Sequence, residues 1–217
     1  PFCGCGTTIA VTERLKRNWI GIDITHLSIN LIKMRLKNMF SIEPKKNYKV
    51  VGEPVDLDGA KSLASHNRYQ FQWWALSLIE ARPYGDKKKG RDTGIDGYIY
   101  FQVATDKYET IIIQVKSGKV SVKDIRDLGH VIDREKAKIG IFISLKKPTR
   151  DMEKEAVTKG FYTLKTMGEI HKKCRKMQIL TIEDLLQDKK PQIPNIKGSA
   201  FKQAKGSSKT NHLQAEF

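Results

Sequence analysis

The sequence predicts a mixed α/β fold, and three observations predict it. Apolar residues recur at helical spacing in several separate stretches. Between them stand short, almost wholly apolar runs rich in isoleucine, the pattern of strands buried on both faces. Two further runs, Asp96 to Val103 and Thr110 to Lys116, follow each other across a short polar interval and predict a hairpin.

The elements follow in order. Pro1 to Thr8 is glycine-rich, and Thr8 to Lys16 predicts a short amphipathic helix. Trp19 to Ile24 reads as a buried strand, and Leu27 to Met39 as a helix. Together they predict a β-α-β-α unit whose first strand is cut off. Residues 43 to about 60 carry Pro44, Gly52, Pro54 and Gly59 and read as a connection. Tyr69 to Ala81 predicts a helix stopped by Arg82-Pro83, with Trp73 and Trp74 as packing residues. After the hairpin, Ser121 with Asp124 three residues on predicts a capping box. Val122, Ile125, Leu128 and Ile132 share one face of the helix that follows, to about Lys136. Ile139 to Leu145 predicts a strand. Thr149 caps a helix to about Lys159, ended by Gly160. From Lys189 to Phe217 six lysines stand against one glutamate, a basic arm. The expected division is residues 1–45, a linker at 46–65, a second domain at 66–186 and a basic tail at 187–217.

Composition narrows the class of partner. The 217 residues carry a formal net charge of +16, which points to a polyanion, nucleic acid first. Cys3, Cys5 and Cys174 are too few and too scattered for a disulfide framework, so a reducing, cytoplasmic compartment is expected. No run is long and apolar enough to span a membrane. The chain begins on Pro1, so a fragment or processed product is expected.

The hairpin carries the chemistry. A turn centred near residue 106 pairs positions whose numbers sum to about 212, which sets Asp96 opposite about residue 116. Ile112, Gln114 and Lys116 share one face of the second strand. A carboxylate, an amide oxygen and an ammonium thus converge at one end. The carboxylate suits a hard divalent cation, Mg²⁺ or Mn²⁺, with Gln114 as a neutral ligand beside it. Such an ion activates water and offsets phosphate charge, and Lys116 can hold the attacking water or stabilise charge in the transition state. Gly94 and Gly97 flank Ile95-Asp96 and predict close approach of a ligand to the backbone. The loop of Lys87, Lys88, Lys89 and Arg91 is read as a phosphate contact.

Gly94-Ile-Asp-Gly97 followed by Gln114-Val-Lys116-Ser-Gly118 resembles the Mrr-like branch of the PD-(D/E)xK restriction endonuclease superfamily. The resemblance runs from about Tyr69 to Phe161. It implies a restriction-endonuclease-like α-β-β-β-α-β core, divalent-metal dependence, double-stranded DNA as substrate and a possible homodimer. It also implies Asp96, Gln114 and Lys116 as catalytic residues, with Asp96 and Gln114 on the metal. A further Glu or Gln on the first helix would be Gln72 or Glu80, with Gln72 preferred.

Pro1-Phe-Cys-Gly-Cys-Gly-Thr-Thr8 is a glycine-rich loop leading into a helix, with Asp23 ending the strand beyond it. Such a loop lets backbone approach a cofactor, and an acid so placed can accept from ribose hydroxyls. The wording is similar to the S-adenosylmethionine loop of DNA amino-methyltransferases acting on adenine N6 or cytosine N4. That resemblance implies a truncated Rossmann-like methyltransferase fragment in which Phe2, Gly4, Gly6 and Asp23 contact S-adenosylmethionine. The family's Asp/Asn/Ser-Pro-Pro-Tyr motif is absent, so methylation is expected of the full-length protein only. The function expected overall is a methyltransferase–endonuclease fusion. The alternative is a non-catalytic DNA-binding or target-recognition module of a methyltransferase.

Overall fold

Ile111, Ile112 and Ile113 are fully buried in succession, so the strand that carries them must be covered on both faces. The computed structural model, which describes residues 1–85, 93–104, 107–166, 169–170 and 173–194, meets that demand with helices on each side of a five-stranded sheet. The helices in chain order are α1 (Thr7–Arg14), α2 (His26–Phe40), α3 (Leu57–His66), α4 (Arg68–Ser77), α5 (Val122–Arg134), α6 (Arg150–Thr158) and α7 (Ile182–Leu186). The strands are β1 (Arg82–Pro83), β2 (Gly97–Ala104), β3 (Lys107–Lys116), β4 (Ile139–Ser144), β5 (Phe161–Tyr162), β6 (Lys165–Thr166), β7 (Glu169–Ile170), β8 (Cys174–Arg175) and β9 (Met177–Thr181).

The sheet runs β1-β2-β3-β4-β9, antiparallel from β1 to β3 and parallel from β3 to β9. The order α4-β1-β2-β3-α5-β4 is the expected α-β-β-β-α-β order. On one face Ile111, Ile113 and Val115 pack with Ala60, Phe71, Trp74 and Ile182, from α3, α4 and α7. On the other, Ile112 and Phe142 pack with Ile125, Leu128 and Met152, from α5 and α6. Trp74 lies in the first of these cores. The Asp124 carboxylate accepts from the Ser121 N–H at 2.8 Å, and Thr149 caps α6 through the Met152 N–H at 3.3 Å. Among the described residues no helix is long and apolar enough to cross a membrane.

Four expectations change. The hairpin pairs Gly97 with Ile113 and Tyr98 with Ile112, a sum of 210: the turn itself pairs Ala104 with Lys107, one short of the expected sum, and an irregularity between Gln102 and Ala104 takes up one residue more. Asp96 therefore falls two residues short of Lys116. Gly97 is demanded by the protein's own packing: a Cβ there would lie 2.7 Å from Leu76 Cδ2 and 2.9 Å from the Arg82 carbonyl. Residues 57–66, in the stretch read as connection and linker, form α3. The Asp56 carboxylate caps that helix, and Ala60 and Ala64 are buried. Trp19 to Ile24 forms no strand among the described residues, so no Rossmann-like sheet is present there. It finds no neighbouring strand to take its backbone groups, and Ile20, Ile22 and Ile24 are exposed.

The N-terminal helices pack through Ile9, Ile32 and Leu36. They are seated on the sheet domain by α2, where the His26 N–H donates to Gln70 Oε1 at 2.8 Å and Asn30 Nδ2 donates to the Ala81 carbonyl at 3.4 Å.

Gly97→Ala should lower stability by about 1–3 kcal/mol in urea unfolding, through forced displacement of Leu76 and β1. Gly118→Ala, with nothing within 4 Å of the added Cβ, should be close to neutral in the same measurement.

Candidate functional site

Asp96 is fixed before its side chain is considered. Its N–H donates to the Ile113 carbonyl and its own carbonyl accepts from the Tyr84 N–H, each at 2.9 Å. Gly97 is also paired with Ile113, so two residues oppose one and the chain bends as it delivers Asp96. Gly94, at φ 75°, makes the turn just before it. The Asp96 carboxylate accepts the Val115 N–H at 2.7 Å and a side-chain N–H of Gln72. Gln72 is buried on α4, so this bond ties the carboxylate to the first core helix. Glu80, the other candidate on that stretch, is exposed and pairs with Lys37 at 2.5 Å, away from Asp96.

Gln114 lies on the face of β3 that Ile112 presents to α5. It is only 7% exposed, and its Oε1 has no hydrogen-bond partner among the described residues. Its Nε2 would be 3.9 Å from a Cβ built on Gly94, so the amide stands against the turn that delivers Asp96. Lys116 ends the strand on the same face, its Nζ 3.9 Å from Asp124 Oδ1 at the start of α5. The hairpin end thus carries an anchored carboxylate, a buried amide acceptor and a partly exposed ammonium. Among the described residues no three His, Cys, Asp or Glu side chains gather as a metal cage.

Lys116 also opens onto a cleft of about 530 Å³ lined by Lys61, Arg68, Lys119 and Asp124, a volume within the range of ligand sites, roughly 300–1,000 Å³. Sequence reasoning missed Lys61 and Arg68. They come from α3 and α4, and only the fold sets them beside Lys116-Ser-Gly-Lys119, whose glycine and flanking lysines were the legible signal. Lys87, Lys88, Lys89 and Arg91, expected to contact phosphate, lie outside the described residues.

The N-terminal loop and its acid do meet. The Asp23 carboxylate accepts from the Gly4 N–H at 2.8 Å and from the Thr25 N–H at 3.1 Å. Desolvation pushes this carboxyl up, but the N–H groups of Thr25 and Gly4 and the hydroxyls of Ser28 and Thr25 outweigh it and hold it below the usual carboxylate range. Gly6, at φ 76°, has its place because a Cβ would lie 2.6 Å from Ile32 Cγ1 on α2. Phe2 is exposed. Asp23 lines a pocket of about 470 Å³ with Trp19, His26, Tyr48 and Glu53; Phe2, Gly4 and Gly6 do not. Two further groups there were not anticipated. His26 Nδ1 and the Tyr48 hydroxyl are buried without partners among the described residues, and burial pushes the Tyr48 phenol up to about 12.

Residues 70–187, just over half the chain, match the model of the family described as NACHT-associated inactive Restriction Endonuclease 1. A search of curated proteins found no matching relative.

The Asp23 bonds carry a pH dependence. Its folded value is lowered, so its contribution is present above the ordinary carboxylate value of about 3.9 and is lost as pH falls through the folded value. In urea unfolding, wild type should exceed Asp23→Asn at neutral pH, and the gap should close as pH drops through that window.

Proposed function

The chain belongs to the NACHT-associated inactive Restriction Endonuclease 1 family, and from that footing we propose that it acts on double-stranded DNA and retains a metal-dependent centre for phosphodiester hydrolysis. The observation that carries this reading is the buried Gln114 Oε1 with no partner among the described residues, set beside the turn that anchors Asp96. An acceptor left so costs about 1–3 kcal/mol until a donor or cation meets it. The donor set fits a hard cation such as Mg²⁺ or Mn²⁺, with the Asp96 carboxylate supplying charge and Gln114 a neutral oxygen. When bound, such an ion supplies an activated water and offsets phosphate charge.

The chain's own residues supply the rest of the proposed reaction. Gln72 and the Val115 N–H hold the Asp96 carboxylate in one orientation. Lys116, kept at the strand end by Asp124, donates to the scissile phosphate as charge builds in the transition state. The net charge of +16 draws the polyanion to the surface.

A second reading is a non-catalytic DNA-binding or target-recognition module. It is favoured by Gln114, which adds no charge beside the turn that delivers Asp96, and by the family's description as inactive. The N-terminal unit extends either reading: the full-length protein would methylate adenine N6 or cytosine N4 of DNA with S-adenosylmethionine. Support comes from the junction of Gly4 with Asp23 and the aromatic pocket Asp23 lines.

Plasmid cleavage with Mg²⁺ or Mn²⁺ should fall at least about 100-fold in Asp96→Ala and Lys116→Ala. Cutting that survives both substitutions removes this centre as its source. A structural readout runs beside it. Mg²⁺ should raise the unfolding midpoint of wild type but not of Gln114→Met, which without metal should be neutral or stabilising. No cleavage and no metal-induced shift, with DNA binding intact, would leave the second reading.

A further inference from the structure

The cleft next to Lys116 has a composition that the hydrolytic centre alone does not require. Lys61 from α3, Arg68 from α4, and Lys116 and Lys119 from the end of β3 and the segment beyond it face one volume of about 530 Å³. Asp124 lines the same volume, and Asp58 pairs with Lys61 at 2.8 Å. Four cations against two carboxylates leave two net positive charges. Ser117 adds a hydroxyl, while the Ser65 hydroxyl on the same wall donates to the Ser62 carbonyl at 2.8 Å. Gly118 presents bare backbone there, with nothing within 4 Å of where a Cβ would stand. A hydroxyl, open backbone and excess cations are the equipment of a phosphate contact. Lys61 and Arg68 precede residues 70–187, so they lie outside the stretch that matches the family.

We propose that this cleft is a backbone subsite, in which Lys61, Arg68 and Lys119 each hold a DNA phosphate along the strand next to the one that Lys116 serves. The proposal rests on the DNA-acting reading above and names how that DNA is held. The cations come from three chain segments that line a volume of ligand size, as contact with a sugar–phosphate strand requires. Lys116 belongs to both places, so a strand lying in the cleft is registered against the hairpin end. Lys61, Arg68 and Lys119 are positioning residues. They set where the backbone lies and do not touch the reacting atoms.

The test is equilibrium binding of a short duplex by the full chain in EDTA, measured as fluorescence anisotropy across a salt series. Removing one phosphate contact lowers the slope of log K against log salt by about 0.9, so the triple variant Lys61→Ala, Arg68→Ala, Lys119→Ala should lose about 2.7. The charge-conserving triple Lys61→Arg, Arg68→Lys, Lys119→Arg should keep the wild-type slope, and circular dichroism of both should match wild type. Inorganic phosphate, added at the same molar phosphate as the duplex, should leave the duplex bound. An alanine variant that is folded and keeps the wild-type slope overturns the subsite while leaving the DNA-acting reading in place. Displacement by inorganic phosphate overturns it in favour of a free-anion site. Because EDTA silences any metal centre, absence of cleavage in the separate assay does not bear on this result. Absence of salt-dependent binding by wild type sinks both.

Discussion

Successive burial along β3 is the constraint from which the rest follows. Residues Ile111 to Val115 are all buried, although a strand turns alternate side chains to opposite faces. No one-sided packing can achieve this. The chain must place α3, α4 and α7 over one face and α5 and α6 over the other. Each fully buried isoleucine contributes about 1.5–3 kcal/mol relative to exposure, so leaving either face bare would forfeit much of the domain's stability. The parallel pairing of β3 with β4, and of β4 with β9, belongs to the same solution, since the crossovers carry α5 and α6 to the face they cover.

The polar end of that strand inherits its geometry from the apolar part. Gln114 is held under α5 because Ile112, two residues before it, is held there. Lys116 emerges two residues further on, where the sheet ends and the cover stops. Asp96 reaches this end by a different route. The bend at Gly97, tightened by Leu76 and the Arg82 carbonyl, aims its carboxylate at the Val115 N–H and at Gln72 on α4. An acid joined to the sheet through backbone and to a core helix through a buried amide has little freedom. That rigidity suits a site whose work is to hold charge in one place.

The N-terminal unit shows what happens when the same strand logic is left incomplete. Trp19, Gly21 and Asp23 face the helices, while Ile20, Ile22 and Ile24 stand exposed. The period of two is that of a strand, yet no ladder forms among the described residues. Its order comes instead from local bonds, with the Cys3 N–H on the Ile22 carbonyl at 3.0 Å and Gly4 and Thr25 on the Asp23 carboxylate. The helix beside it is anchored from outside the unit, through Asn30 and His26 to the sheet domain.

The sequence by itself determined the helices α2, α4, α5 and α6, the hairpin and the strand β4, because periodicity and capping chemistry act over a few residues. It also determined that Gln114 and Lys116 share a face, which strand geometry fixes without any partner. The register was not legible, because the turn at Ala104 and Lys107 and the irregularity between Gln102 and Ala104 together move the pairs beyond them, and Asp96 with them. Nor was α3, because Pro54 just before it and Gly59 within it imitate a loop until burial of Ala60 and Ala64 against neighbouring helices makes the helix worthwhile. Tertiary structure alone decided that Gln72 rather than Glu80 meets Asp96, and that Lys61 and Arg68 stand beside Lys116. Those pairings join segments far apart in the chain, and their distances exist only once both faces of β3 are covered.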